Sequence, residues 1–191
     1  MNSGTICETL TMTISCSYPN ELEEMFAMAG GERVLLRPIR PEDEPAHREF
    51  LSQLTPEDNR FRFFGKVKEL SHEEMSHYVN IDYDTEMAII ACTINEEVEH
   101  AHVTLGVVRV IIDANGEDAE FAIVVRSDVH HQGLGWKLMD KMTVYCRSRG
   151  LKILSGDVLP ENHHMLDLMR DLGFKKYIDY EERVARVSLV L

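Results

Sequence analysis

The sequence predicts a single α+β domain, on three observations. Apolar residues follow a helical period from about Pro41 to Asn80, then a strand period from Met87 to Val125. A hairpin turn, Asp113-Ala114-Asn115-Gly116, joins two of the strand runs. After Glu120 the chain alternates strand, helix, strand and helix before closing on two strands. A chain of 191 residues can bury one sizeable core, and no repeat, low-complexity stretch or linker divides it.

Each element has a local reason. Thr9 to Ser15 alternates hydroxylic and apolar residues, as an edge strand does, and Pro19 ends it. Asn20 is placed to cap a short helix, Glu21 to Met28, stopped by Gly30-Gly31. Arg33 to Ile39 reads as the first core strand, with Pro38 near its end. Pro41-Glu42-Asp43-Glu44 opens a helix to about Leu54, its acids in the first turn where the dipole favours them. Thr55-Pro56-Glu57-Asp58 repeats that signal ahead of Asn59 to Phe64, and Ser71 with Glu74 forms a capping box for a third helix to about Asn80. Met87–Cys92, Val103–Ile112 and Glu120–Val125 read as neighbouring strands. A helix from Gly133 to Arg149 stops at Gly150, Ile153–Val158 is a strand, and Asn162 to Leu172 is a helix leading through Gly173-Phe174 into two strands.

Composition narrows the function classes. No apolar run approaches the ~20 residues of a membrane span, and residues 1–15 lack a basic segment followed by an apolar core, so a soluble, cytoplasmic protein is expected. The four cysteines, Cys7, Cys16, Cys92 and Cys146, show no CxxC spacing and read as reduced thiols. A net charge of −13 and the lack of a Lys/Arg stripe speak against nucleic acid. The acidity suits a cationic substrate such as an amine.

The stretch Ala119 to Leu138 carries the chemistry. A strand, Glu120-Phe121-Ala122-Ile123-Val124-Val125, breaks into a polar turn and then Gln132-Gly133-Leu134-Gly135-Trp136 at a helix start. Unpaired N–H groups and the helix dipole make such a place an anion site, and glycine lets phosphate approach the backbone. The third glycine and the following acid of a dinucleotide fingerprint are missing, and Trp136-Lys137 stands where a Walker loop needs Lys-Ser/Thr. The pairs His130-His131 and His163-His164 have no ligand spacing for a metal, because adjacent helical residues do not share a face. Phe61, Phe63 and Phe64 read as core of the helical layer.

Two further motifs point to a family. His130-His131-Gln132-Gly133-Leu134-Gly135 resembles the coenzyme A motif of the GNAT N-acetyltransferase superfamily, and Asn162 through Gly173-Phe174 resembles its later motif. More narrowly, R-P-I-R-P-E-D-E-P, F-R-F-F and A-E-F-A-I-V-V-R-S-D look like the acetyltransferase domain of bacterial Pat-type protein lysine acetyltransferases. The resemblance covers roughly residues 33–191 and implies the GNAT fold: a mixed, mostly antiparallel sheet, flanked by helices, whose central strands splay beside a bulged fourth core strand, Glu120–Val125. It implies residues 31–191 as the acetyltransferase domain, after an N-terminal extension, 1–30, of edge strand plus short helix.

The resemblance also implies site roles. Ile123, Val124 and Val125 would offer backbone groups to the pantetheine arm and thioester of acetyl-CoA. His130, His131, Gln132, Gly133, Leu134, Gly135 and Trp136 would hold the pyrophosphate, with Asn162 touching the coenzyme from the next helix. Glu120 is the candidate general base, since an amine with a pKa of about 10.4 needs a proton acceptor at neutral pH; taken without the resemblance, it is an exposed strand-end acid. The family's usual thiolate-protonating tyrosine falls on Met169, and Tyr177 and Tyr180 lie too near the C-terminal strands to replace it. The implied reaction moves an acetyl group to a primary amine, most naturally a protein lysine, with an acyl-CoA synthetase as one such substrate, and needs no metal. A small-molecule amine acetyltransferase and a non-catalytic acetyl-CoA-binding module are the alternatives, and the sequence leaves a homo-oligomer open.

Overall fold

The computed structural model describes residues 17–65, 71–94 and 102–191; the strand expected over Thr9 to Ser15 lies outside them. A 3-10 turn, Asn20–Leu22, leads into strand β1, Glu24–Ala27, which pairs antiparallel with β2, Arg33–Pro38. This corrects the helix expected over Glu21 to Met28. Strand alternation sends Glu24 to Lys137 (2.6 Å) and Lys141 (2.9 Å), and packs Phe26 onto the core, so tertiary partners override a local capping signal. Residues 24–27, assigned to the extension by sequence, thus carry the first strand of the sheet.

The helix expected from Pro41 splits into a 3-10 turn, Pro41–Asp43, and α1, Glu44–Ser52. The turn is held because the buried Asp43 carboxylate accepts from the Arg40 N–H (2.8 Å) and from both terminal nitrogens of Arg37 (2.7 and 2.6 Å). Helices α2, Pro56–Phe63, and α3, His72–Val79, start at Thr55 and Ser71; both starts form capping boxes, the one at Ser71 as its sequence predicts.

The meander forms as expected: β3, Glu86–Thr93; β4, Thr104–Ile112; and β5, Asp118–Val125, are antiparallel neighbours. Asp113 closes the β4–β5 turn by accepting from the Glu117 N–H at 3.0 Å. The chain continues through α4, Leu134–Ser148; β6, Ile153–Val158; α5, His163–Asp171; β7, Lys175–Asp179; and β8, Val184–Val190. The sheet order is β1-β2-β3-β4-β5-β6-β8-β7, and only β5–β6 is parallel. One face buries Leu36, Ile89, Val108 and Phe121 under Leu138, Met139 and Met142 of α4; the other buries Ile90, Val107 and Val124 under Phe50 of α1 and Val79 of α3. No helix among the described residues is long and apolar enough to cross a membrane.

Strands β5 and β6 pair at only three positions, Asp118↔Ile153, Ala119↔Leu154 and Glu120↔Ser155, and then part. A close contact stands at the next residue on each strand. Phe121 lays its ring over Gly156, where a Cβ would stand 2.8 and 2.9 Å from two ring carbons, and braces it edge-on against Phe174 at 5.5 Å. Beyond that wedge β6 stays paired with β8, to Val158↔Ala185, and β5 with β4, to Val125↔Gly106. The bulge expected in β5 is absent from its pairing with β4; the register shift lies between Ala91 and Cys92 on β3, opposite β4.

Candidate active site

Where the two strands part, a cleft of about 860 Å³ opens, walled by α2, β5, the end of β6, α5 and the turn into α4. Its size is that of a small-molecule site. Glu120, Ile123, Val124, Val125, His130, His131, Gly133, Leu134, Gly135, Trp136 and Asn162 all line it. The exception among the residues expected there is Gln132. Its side-chain oxygen accepts from the Gly30 N–H (2.7 Å) and its backbone carbonyl from the Ala29 N–H (3.1 Å), which ties the turn to the β1–β2 hairpin instead.

One end of the cleft is an open helix start. His131 (φ 60°) and Gly133 (φ 80°) both take the left-handed conformation, which aims the start of α4 into the opening. Gly133 caps α4 without a side chain, so the first-turn N–H groups keep no local acceptor. Lys137, whose own N–H donates to the Gly133 carbonyl (3.0 Å), pairs its ammonium with Glu24, which leaves backbone dipoles as the positive field of this helix start. A ring nitrogen of His130 sits 3.0 Å from the Val125 carbonyl, and the rings of His131 and His164 meet edge-on at 5.4 Å. Asn162 caps α5, accepting from the Met165 N–H at 3.1 Å. Among the described residues no group of three or more histidine, cysteine or acidic side chains is arranged to hold a metal.

The other end carries an exposed carboxylate beside a partly buried cation. Glu120 is the last paired residue of β5 before the wedge, and it shares a face with Ala122 and Val124 under α1–α3. Arg62 of α2 borders both this cleft and a small void shared with His47, Tyr78, Arg109 and Ala122. Burial pushes the Arg62 guanidinium below its ordinary range, Arg109 adds to that, and Tyr78 and Glu120 oppose it. The edge of β5 from Phe121 to Val125 that faces away from β4 has no strand of the described residues on it.

Sequence reasoning missed much of the wall. Phe61, Phe63 and Phe64, read as core, line the cleft, and Phe64 is 48% exposed. Asp58, whose carboxylate accepts from the Thr55 N–H (3.0 Å), also accepts from the Ser127 hydroxyl at 2.7 and 2.8 Å, fastening α2 to the turn before α4. Arg60 of α2 reaches across to Glu161, just before α5. The tyrosine position, Met169, is 1% exposed in the core under α5, and no tyrosine or cysteine of the described residues lines the cleft. Cys92 and Cys146 are buried free thiols pushed by that burial to about 11 and about 12.

Comparison with known proteins agrees with this architecture. Residues 33–175 match the family model of the Acetyltransferase (GNAT) domain. Acetyltransferase PA5475 of Pseudomonas aeruginosa is 32% identical over 144 residues, spanning 75% of this chain and 76% of that protein. The GNAT domain of S. lividans PAT superposes with a TM-score of 0.81 at 24% identity, over 92% of this chain and all (100%) of that one. Spermidine N-acetyltransferase from Vibrio cholerae, solved in complex with CoA and spermine, superposes with a TM-score of 0.64 at 17% identity, over 82% of this chain and 95% of that one.

Proposed function

The chain belongs to the GNAT acetyltransferase family and is an acetyl-CoA-dependent N-acetyltransferase, and on that premise we propose that it acetylates a protein lysine side chain by direct attack, with Glu120 as general base. One observation carries the proposal: a single cleft joins an anion-binding helix start at one end to the Glu120 carboxylate at the other, with an unpaired strand edge between them.

Acetyl-CoA supplies an activated acetyl group and two kinds of handle, phosphates and amides. The N–H groups of Gly133 to Trp136 receive the pyrophosphate, with His130, His131 and Asn162 lining the same end. The free edge of Ile123, Val124 and Val125 receives the amides of the pantetheine arm, as an edge strand receives a neighbour. Gln132 serves this end indirectly, by holding the turn to Gly30. Backbone N–H groups near Val125 polarise the thioester carbonyl.

Glu120 takes the proton from the lysine ammonium. At pH 7 fewer than about one lysine in a thousand is the free amine, so a carboxylate within direct or water-bridged reach raises the reactive fraction where it counts. The new N–C bond forms as the C–S bond breaks, and water supplies the proton that the leaving thiolate needs, because no tyrosine of the described residues lines the cleft. The rings of Phe61 and Phe64 suit the methylene stem of a lysine, and the exposure of Glu120 suits an acceptor carried on a large partner.

The test is Glu120→Gln. We expect kcat/KM on a lysine peptide to fall by about 10²- to 10⁴-fold while the CoA dissociation constant from calorimetry stays put. Full turnover at high amine concentration refutes the base assignment, and a wild-type protein that binds CoA but releases no thiol with any amine refutes catalysis. Labelling a proteome with marked acetyl-CoA and finding no modified lysine refutes the protein acceptor. A small-amine acceptor is the second reading, favoured by Glu57, Asp58 and Asp157 on the cleft wall; a polyamine panel separates the two.

A further inference from the structure

Arg62 stands apart from four other cations of this protein that are buried or partly buried. Arg37 meets Asp43 at 2.6 Å, Arg126 meets Asp128 at 2.6 Å, Lys141 meets Glu24 at 2.9 Å, and Arg109 is paired with Glu86 and the Tyr78 carbonyl. Arg62, on a helix that walls the cleft, has no carboxylate within ion-pair distance and no hydrogen bond to any described residue. Its guanidinium lies 4.8 Å from the Phe63 ring centre. The side chain is partly buried, but its nitrogens still reach the open space of the cleft, so an anion entering there can meet them. The planar fork of arginine fits a carboxylate with two parallel hydrogen bonds.

The anion it awaits does not come from the coenzyme end. Arg62 borders Glu120 and Ala122, whereas the helix start that receives phosphates lies beyond Val125. Five residues of strand separate Glu120 from Val125, roughly 17 Å at the usual rise. Glu120 faces Arg62 electrostatically without bonding to it, which leaves its carboxylate for the incoming ammonium. The acceptor is then met by two opposite charges side by side.

We propose that Arg62 selects acceptors bearing a carboxylate close to the reacting amine, such as a lysine beside an acidic residue, and selects against amines that are only cationic. This rests on the acetyltransfer reading above and names its substrate class. Glu120 handles the proton, and Arg62 fixes the anionic neighbour, so a polyamine would leave the guanidinium unpaired and repelled.

The experiment compares acceptors in pairs that differ only in that charge: lysine peptides with Glu or Gln next to the lysine, and Nα-acetyl-lysine against its methylamide. Wild-type protein should favour the acidic member of a pair by about ten- to a hundredfold in kcat/KM, the worth of hydrogen bonds to a charged group. Arg62→Gln should reduce that ratio to near one, mostly through KM, and Arg62→Lys should recover part of it. CoA affinity and melting temperature of each variant report its folding. Equal rates for both members in wild-type protein, an undiminished ratio in Arg62→Gln, or turnover of polyamines alone each overturn the inference, and the first of these needs no variant to fold. If peptides stay inert while the free carboxylate of Nα-acetyl-lysine is still preferred, the charge reading stands and the protein acceptor falls. If peptides react without a charge preference, the reverse holds.

Discussion

Replacing Gly156 by alanine tests whether the wedge at the apex of the cleft is what parts β5 from β6. The added Cβ would lie 2.8 and 2.9 Å from Phe121 ring carbons and 3.0 Å from the Phe121 carbonyl oxygen, where ordinary contact begins at 3.4 Å. The ring cannot swing aside freely, being 5% exposed and braced against Phe174, and the carbonyl belongs to a strand pinned by β4. Overpacking of this kind costs about 1–3 kcal/mol. In a chain of 191 residues each kcal/mol lowers the melting temperature by about 2–4 °C, so a fall of roughly 2–12 °C is expected by differential scanning fluorimetry. Because the clash sits beside Glu120, the CoA dissociation constant should rise as well. Shortening the ring in the double variant Gly156→Ala, Phe121→Leu should give back part of the loss, a favourable coupling of about 0.5–3 kcal/mol. A melting temperature within about 1 °C of wild type, or strictly additive single and double variants, would refute the wedge.

Other perturbations probe the helical face above Glu120. His47 is 2% exposed, its Nδ1 has no partner, and burial, ahead of repulsion from Arg109, pushes its pKa down to about 4. The unfolded chain then binds a proton near pH 6.5 that the folded protein refuses until about pH 4, so stability falls as pH drops through that window. The loss amounts to about 3 kcal/mol. Urea unfolding at pH 7 and pH 4.5 should show it, and His47→Leu should flatten the difference; an unchanged slope would exclude His47 as its source. Ser127→Ala removes both hydroxyl contacts to the buried Asp58 carboxylate, at a cost of about 1.5–3 kcal/mol for hydrogen bonds to a charged group. With α2 no longer fastened to the turn before α4, CoA binding should weaken in parallel. Unaltered CoA affinity in a clearly destabilised variant would dissociate the fastening from the site.

The order of elements was legible because period and capping are local. The helix starts at Thr55 and Ser71 and the strand Ile153–Val158 lie where the residues put them. Glu21 to Met28 misled because its capping signal is real, but Glu24 answers to lysines more than a hundred positions away. The cleft was half legible for the same reason. Glycines at a helix start mark an open helix N-terminus by themselves, whereas the meeting of Phe121 with Gly156 where β5 and β6 part lies across two strands. Ser127 and Asp58 are 69 residues apart and carry no pattern that joins them. Arg62 sat in view between Phe61 and Phe63, yet only its missing partner singles it out, and an absence of partners cannot be read along a chain.

An unpaired strand edge is ordinarily a hazard, because it invites the edge of another molecule and, with it, aggregation. Here the unpaired edge of β5 is sunk inside the sheet, between β6 on one side and the α2 and α5 walls on the other. The fold thereby keeps an unpaired sheet edge while setting it back inside a cleft, so the geometry that leaves β5 open also removes its edge from the outer rim of the sheet, where another molecule's strand would meet it.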